Sequence, residues 1–209
     1  MTWLILGLIL FLGAHSVRVV ADNWRAEKIQ AWGDKAFKGV HALVSLLGFY
    51  LLVVGYGEAR LQTVALWNPP IFTKHISMLL MLFSSILLMA AYIPRNHFKT
   101  RLGHPMVLSV KVWALSHLLA NGNLADLVLF GSFLIWAVLN FRSARARDRA
   151  LLLHLNVTED AAGEPLAESE STNQPKLLST IITLVSGIAT WALITFVLHA
   201  KVVGVSPMG

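Results

Sequence analysis

The chain has 209 residues, of which 56% are apolar and only 13% are charged, with 17 Lys and Arg against 11 Asp and Glu. A soluble domain of ordinary composition carries about 25% charged residues, so these figures exclude a soluble enzyme, a disordered chain and a nucleic-acid-binding protein. There is no cysteine, which excludes disulfides, thiol catalysis, iron–sulfur clusters and covalent haem attachment. The composition therefore predicts a membrane protein.

Six apolar stretches are candidates to cross a bilayer, because a spanning helix needs about 20 largely apolar residues. In chain order they are residues 2–20, 36–57, 71–93, 105–120, 124–141 and 177–198. Prolines bound the third stretch at both ends, and Asn121-Gly122-Asn123 is a tight-turn signal between the fourth and the fifth. We expect an all-α fold, a polytopic transmembrane bundle of six helices.

Charge divides the chain into three parts. Residues 1–141 form a predicted five-helix core, and residues 177–209 hold the sixth span and a short tail. Residues 142–176 begin with an arginine cluster and continue with acidic, Pro- and Ser-containing sequence, which is typical of a solvated linker. The first, third and fifth connections hold more Lys and Arg than the second and fourth. The positive-inside rule therefore predicts a multi-pass inner-membrane protein with both termini in the periplasm and the linker in the cytoplasm.

Ionisable groups at membrane depth are expensive, so they mark candidate functional residues. These residues are His15, His75, His104, Lys111, His117 and Asp126. We interpret His41 as interfacial, and His97, His154 and His199 as solvent-facing. The chain has no HExxH motif and no serine or cysteine triad. Two interpretations of the membrane histidines remain: hydrogen bonding between helices, and ligation of b-type haem by histidines on different helices.

Lys111 and Asp126 are the only two oppositely charged residues on this short list. Asp126 follows the predicted turn between the fourth and fifth spans, and an ion pair with Lys111 would lower the cost of burying both charges. The alternative for Lys111 is contact with a haem propionate or a substrate. Under the haem interpretation, Arg18 is a second candidate for propionate contact.

Several short segments stand out, most clearly Ala14-His15-Ser16, Trp67-Asn68-Pro69-Pro70, Gly103-His104-Pro105 and the stretch from Lys111 to Gly122. Together they resemble the NnrU family of bacterial inner-membrane proteins. Each motif is short, but their order along the chain is fairly specific. The resemblance runs from about residue 1 to the sixth span, with the acidic linker excepted.

The resemblance implies a function and a ligand pair. The family is associated with nitric oxide metabolism and denitrification, and it is related to plant 15-cis-ζ-carotene isomerase, a membrane enzyme that uses haem b. The two proposed axial histidines of that isomerase match His15 and His117 here. The resemblance therefore implies haem b as cofactor, and nitric oxide or an apolar polyene as the molecule that meets the iron.

Depth in the predicted bundle suggests other pairings. At 1.5 Å per residue, His15 lies about 8 Å and His117 about 18 Å from the cytoplasmic ends of their spans. Depth alone pairs His15 with His104, and His75 with His117, so His104 and His75 remain substitute ligands or partners for two haems. A further alternative is a non-catalytic accessory or structural protein without a cofactor.

Overall fold

The computed structural model describes residues 1–62, 64–162 and 174–207, with the backbone alone for 156–162. The described residues are almost entirely helical, and their one β-bridge joins Ala65 to Asn123. The helices are α1 Thr2–Val20, α2 Asp22–Trp32, α3 Asp34–Leu61, α4 Ile71–Tyr92, α5 His97–Leu102, α6 Pro105–Ala120, α7 Leu124–Ala162, α8 Leu177–Leu193, a π-helical turn Ile194–Leu198, and α9 His199–Val203.

Five of these helices are long and apolar enough to span a membrane: α1, α3, α4, the first part of α7, and α8 with its continuation. The sixth predicted span, α6, is apolar but shorter, with 16 residues. Large apolar side chains such as Ile9, Leu43 and Val185 point outward, as the lipid-facing sides of spanning helices do. The prediction of an all-α, multi-pass membrane fold is confirmed.

Two connections contain more helix than we predicted. The first connection forms α2, which begins at Asp22 and carries an exposed Asp22–Arg25 ion pair of 3.8 Å. The fifth span does not end at Phe141, because α7 continues through residues 142–162. Arginine and alanine favour helix, so the basic half of the predicted linker continues α7 and does not form a loop. Residues 163–173 of the linker lie outside the described residues.

The spanning helices pack side by side in the order α3, α1, α7, α6, α4, α8. Their connections meet at two opposite ends. At one end, the Lys176 amide donates to the Arg95 carbonyl at 2.7 Å, joining the fifth connection to the third. At the other, the Leu66 amide donates to the Gly122 carbonyl at 2.8 Å, joining the second to the fourth. This alternation is what six antiparallel spans require.

Glycines bring α1 and α3 into backbone contact. A methyl group added at Gly48 would lie 2.7 Å from the Phe11 nitrogen, and one at Gly7 would lie 2.6 Å from the Leu52 nitrogen. Gly55 faces the Leu4 backbone in the same way. Small residues allow membrane helices this close approach, which supplies the packing energy that the hydrophobic effect cannot supply in lipid.

Serines join α4 to α6. Ser77 donates to the Ser116 carbonyl at 2.7 Å, and Ser116 donates back to the Ser77 carbonyl at 3.0 Å. Two turns along each helix, Ser84 and Ser109 make the same reciprocal pair at 2.9 and 2.8 Å. The seven-residue spacing on both antiparallel helices fixes their register.

Candidate functional site

His15 lies in a polar group near the end of α1, which we call the His15 cluster: His15 on α1, His41 and Ser45 on α3, and Trp136 on α7. The His15 ring centroid lies 5.1 Å from that of His41 and 6.3 Å from that of Trp136. His15 Nδ1 is 2.7 Å from the Phe11 carbonyl oxygen. Because a carbonyl oxygen only accepts, Nδ1 carries the proton, and Nε2 is left with a free lone pair.

The packing of α1 against α3 places this cluster. His41 and Ser45 lie on the α3 face that continues through Gly48, and that face contacts α1. His41 Nε2 is 3.2 Å from the Ala14 carbonyl oxygen. The Ser45 hydroxyl and the Trp136 indole nitrogen are buried without a hydrogen-bond partner. The cluster therefore holds one unengaged nitrogen on each imidazole, His15 Nε2 and His41 Nδ1, and two unsatisfied polar groups.

His117 lies at a cavity of about 290 Å³ between α4, α6 and the C-terminal helices, which we call the His117 cavity. Its Nδ1 donates to the Trp113 carbonyl at 2.9 Å, and its ring stacks on Phe130 at 4.5 Å. The other polar lining includes Lys74, Ser77, Ser116, Asn121, Thr195 and His199. Thr195, in the π-helical turn, forms part of one cavity wall. A π-helical turn is an irregularity that often accompanies functional sites.

The remaining predicted residues lie elsewhere. His104 precedes α6 and is bound to Asp148 of α7, with 2.9 Å between Nε2 and the carboxylate. His75 is exposed on α4. Lys111 is half-buried on α6, and Arg18 is exposed in the last turn of α1. Neither cation has an ion pair within the described part of the chain.

The predicted ion pair between Lys111 and Asp126 is wrong. The buried Asp126 carboxylate accepts hydrogen bonds from the Tyr56 hydroxyl at 2.5 Å and from the Asn123 amide at 3.1 Å. The reason is depth. Asp126 lies in the first turn of α7, whereas Lys111 lies nine residues, or about 14 Å, from the adjoining end of α6.

His15 and His117 occupy different levels of the bundle. His117 stacks on Phe130, and His15 meets Trp136. These two partners are six residues apart on α7, which corresponds to about 9 Å along the helix axis. Neither a hydrogen bond nor a ring contact joins His15 to His117 in the described residues.

Three aromatic rings fill the space between the two levels. Phe11 packs on the His15 ring at 4.4 Å and on Phe133 at 5.9 Å. Phe133 in turn packs on Trp113 at 5.3 Å, and Trp113 lies beside His117. The two histidines are therefore linked through an aromatic column and do not face each other directly.

Comparison with known proteins decides the family. A family model described as NnrU protein matches residues 3–207, which is nearly the whole chain. The chain belongs to the NnrU family. No match is found among curated proteins or among solved structures. The resemblance seen in the sequence motifs is thereby confirmed, while the cofactor and the ligand pair remain predictions.

In this NnrU protein, His15 and His117 are better placed to bind a haem iron each alone than to bind one iron together. The described part of the chain contains no group of three or more histidine or acidic side chains that could hold a metal ion. Haem iron needs only one or two imidazole nitrogens from the protein. His15 and His117 each offer an Nε2 whose ring is fixed through Nδ1, but the aromatic column separates them. For both histidines to bind a single haem, the aromatic rings of the column must move out of the space between them.

Sequence reasoning missed the partners of both histidines. His41 was interpreted as interfacial, yet its ring contacts His15; both residues flank the first connection, and antiparallel packing of their spans was a usable signal. His199 was interpreted as solvent-facing, yet it lines the His117 cavity. The chain turns back at Gly204, so that the Val205 carbonyl oxygen lies 2.7 Å from His199 Nδ1. Hydropathy carries no signal for that turn.

Proposed function

We propose that this NnrU protein binds haem b in the bacterial inner membrane, with His15 and His117 as its iron ligands once the aromatic rings between them are displaced. One observation carries the proposal: each imidazole donates from Nδ1 to the carbonyl four residues earlier, which leaves Nε2 free. Histidines that bind a metal are usually held this way, because the outer hydrogen bond fixes the tautomer and the ring orientation. Both rings also lie among aromatic side chains, which provide an apolar surrounding.

The chain's own residues would then have distinct tasks. His15 and His117 would hold the iron, and Arg18 or Lys111 would meet the propionates, as cations without an ion pair in the described residues. Bound haem would supply an iron on which one of the two histidines could give way to nitric oxide or, with the iron as a Lewis acid, to an apolar polyene. The apolar helices around the clusters would exclude water from that position.

An absorption spectrum of the purified full chain tests the proposal. We expect a Soret band, and about one haem b per chain in a pyridine haemochrome assay of protein expressed with haem supply. His15→Ala and His117→Ala should each abolish the band. His75→Ala and His104→Ala should retain it, because His75 is exposed and His104 is bound to Asp148. His154→Ala is the control outside both the His15 cluster and the His117 cavity.

The outcomes separate the ligand assignments. Loss of the band in only one of the two main variants would leave that histidine as the sole ligand and remove the other. Full haem retention in the double variant His15→Ala/His117→Ala would overturn the assignment of both. Two haems per chain would favour one haem at the His15 cluster and a second at the His117 cavity.

The alternative is an accessory membrane protein without a cofactor. Its specific support is the size of the His117 cavity, since 290 Å³ lies at the lower limit for a small-molecule site and a porphyrin needs more space. In that case the histidine rings only pack against their aromatic neighbours. A haem-replete preparation without visible absorbance, in which His15→Ala lowers only stability, would favour this function.

A further inference from the structure

Two polar groups of the His15 cluster have hydrogen-bonding capacity that the described protein does not use. The Ser45 hydroxyl and the Trp136 indole nitrogen are both buried and both lack a partner. A buried polar group left unpaired costs about 1–3 kcal/mol, so such groups are rare and call for a physical reason. These two are the only such side-chain atoms among the described residues.

Other serines of the chain show that Ser45 is exceptional. In membrane helices a serine hydroxyl commonly donates to the carbonyl one turn earlier. Ser16 does so to Leu12 at 2.6 Å, and Ser85 does so to Met81 at 2.9 Å. Ser45 has the same option on α3 but does not use it, so its hydroxyl is left for another acceptor.

Trp136 shows the same contrast. The indole of Trp191, also in a spanning helix, donates to the Met78 carbonyl at 3.1 Å. The Trp136 indole has no such acceptor, and its ring meets the His15 ring edge-on at 6.3 Å. An indole N–H can only donate, so whatever satisfies it must present an acceptor atom.

One of the two unsatisfied groups belongs to a side chain that contacts His15, and the other lies on the neighbouring helix α3. Trp136 contacts His15 directly, and Ser45 lies one helical turn from His41, whose ring is 5.1 Å from His15. Arg18, three residues after His15, is an exposed cation at the same end of α1. The surroundings of His15 thus combine a free imidazole nitrogen, two unused donors and a positive charge, but no acidic side chain among its ring contacts.

We infer that Ser45 and Trp136 donate hydrogen bonds to a carboxylate of the group that binds at His15. A carboxylate is the acceptor that this donor set and Arg18 favour, because it only accepts and carries the complementary charge. The inference rests on the proposed haem function, in which a propionate supplies that carboxylate. Ser45 and Trp136 are then positioning residues for the bound group.

Titration of the full chain with haem b and with its dimethyl ester, followed at the Soret band, tests this inference. Ser45→Ala and Trp136→Phe should each weaken haem b binding about tenfold, as loss of a hydrogen bond to a charged group does. The dimethyl ester has neutral carbonyl acceptors in place of the carboxylates, so it should bind the native chain more weakly than haem b does, and each substitution should weaken its binding less than it weakens the binding of haem b. Ser16→Ala and Trp191→Phe are matched controls, because their polar atoms already have partners.

Ultraviolet resonance Raman spectroscopy of the native chain provides a second readout, which does not depend on binding constants. The Trp136 indole signal, identified by its absence in Trp136→Phe, should change from a free to a bonded N–H when haem b is added. An indole already bonded before haem is added would overturn the inference, as would variants that bind haem b like the native chain or that weaken the ester equally. A native chain that binds no haem would overturn the proposed function itself, and the inference with it.

Discussion

The interface between α1 and α3 and the interface between α4 and α6 solve the same packing problem with different residues. On the first, Gly7, Gly48 and Gly55 allow the backbones to touch. On the second, reciprocal serine pairs, such as Ser84 with Ser109, tie one helix to the other. The glycine interface depends on shape alone, whereas the serine interface depends on hydrogen bonds and register.

The comparison shows where the bundle leaves hydrogen-bonding groups without partners. Every hydroxyl of the serine interface donates to a carbonyl on the facing helix, so no proton of these serines is left to donate elsewhere. Where the glycine interface meets α7, Ser45 and Trp136 lack partners, and His15 keeps a free nitrogen. We infer that the serine pairs are structural, and that the polar groups around His15 are kept available for binding.

The largest effect is expected from Gly55→Ala. A methyl group there would meet the backbone of Leu4, which cannot rotate away as a side chain does. The two helices must therefore separate, and overpacking of this kind costs about 3 kcal/mol. Unfolding of the purified protein in mixed micelles, titrated with denaturing detergent, measures the loss.

Gly57→Ala is the matched control on the same helix. A methyl group at Gly57 meets nothing within 4 Å, and alanine favours helix over glycine. This variant should be as stable as the native chain or slightly more stable. Equal stability of the two variants would contradict the close contact between α1 and α3.

A smaller loss is expected from Tyr56→Phe, which removes the hydrogen bond from α3 to Asp126 of α7. The carboxylate would keep only the Asn123 amide, and a lost hydrogen bond to a charged group costs about 2 kcal/mol. The same unfolding assay measures it. Tyr50→Phe, at an exposed position of α3, should change nothing. An equal loss there would show that removal of a tyrosine hydroxyl in general, and not of the bond to Asp126, lowers the stability.

Hydropathy and turn residues were enough to predict the five helices long enough to span a membrane and the shorter apolar helix α6, because a lipid-facing helix must be apolar along most of its length. The prolines before α4 and the Asn-Gly-Asn turn before α7 gave boundaries close to the observed ones. The same signals missed α2 and the extension of α7, since a polar helix outside the bilayer has no hydropathy signature. Charge alone made residues 142–162 resemble a loop.

The site was predictable only in part, because sequence gives depth along a helix but not the neighbour across it. His15 and His117 were singled out by resemblance, and both have an unengaged nitrogen. Pairing by depth favoured His104, which in fact binds Asp148 at 2.9 Å. Asp148 lies in the stretch that was interpreted as linker, so its partner could not be predicted without the extension of α7.

The smallest effect is expected from Ser84→Ala, in the serine interface. Ser84 loses its own bond to the Ser109 carbonyl, but Ser109 still donates to the Ser84 backbone at 2.8 Å, so half of the pair survives. Hydrogen bonds between membrane helices contribute about 0.6 kcal/mol on average, and the unfolding assay should show a loss of that order. Ser85→Ala is the matched control, because this neighbouring buried hydroxyl bonds within its own helix. An equal loss in both variants would mean that a bond between the helices adds no more stability than a bond within one helix, and that register in the serine interface is set by packing.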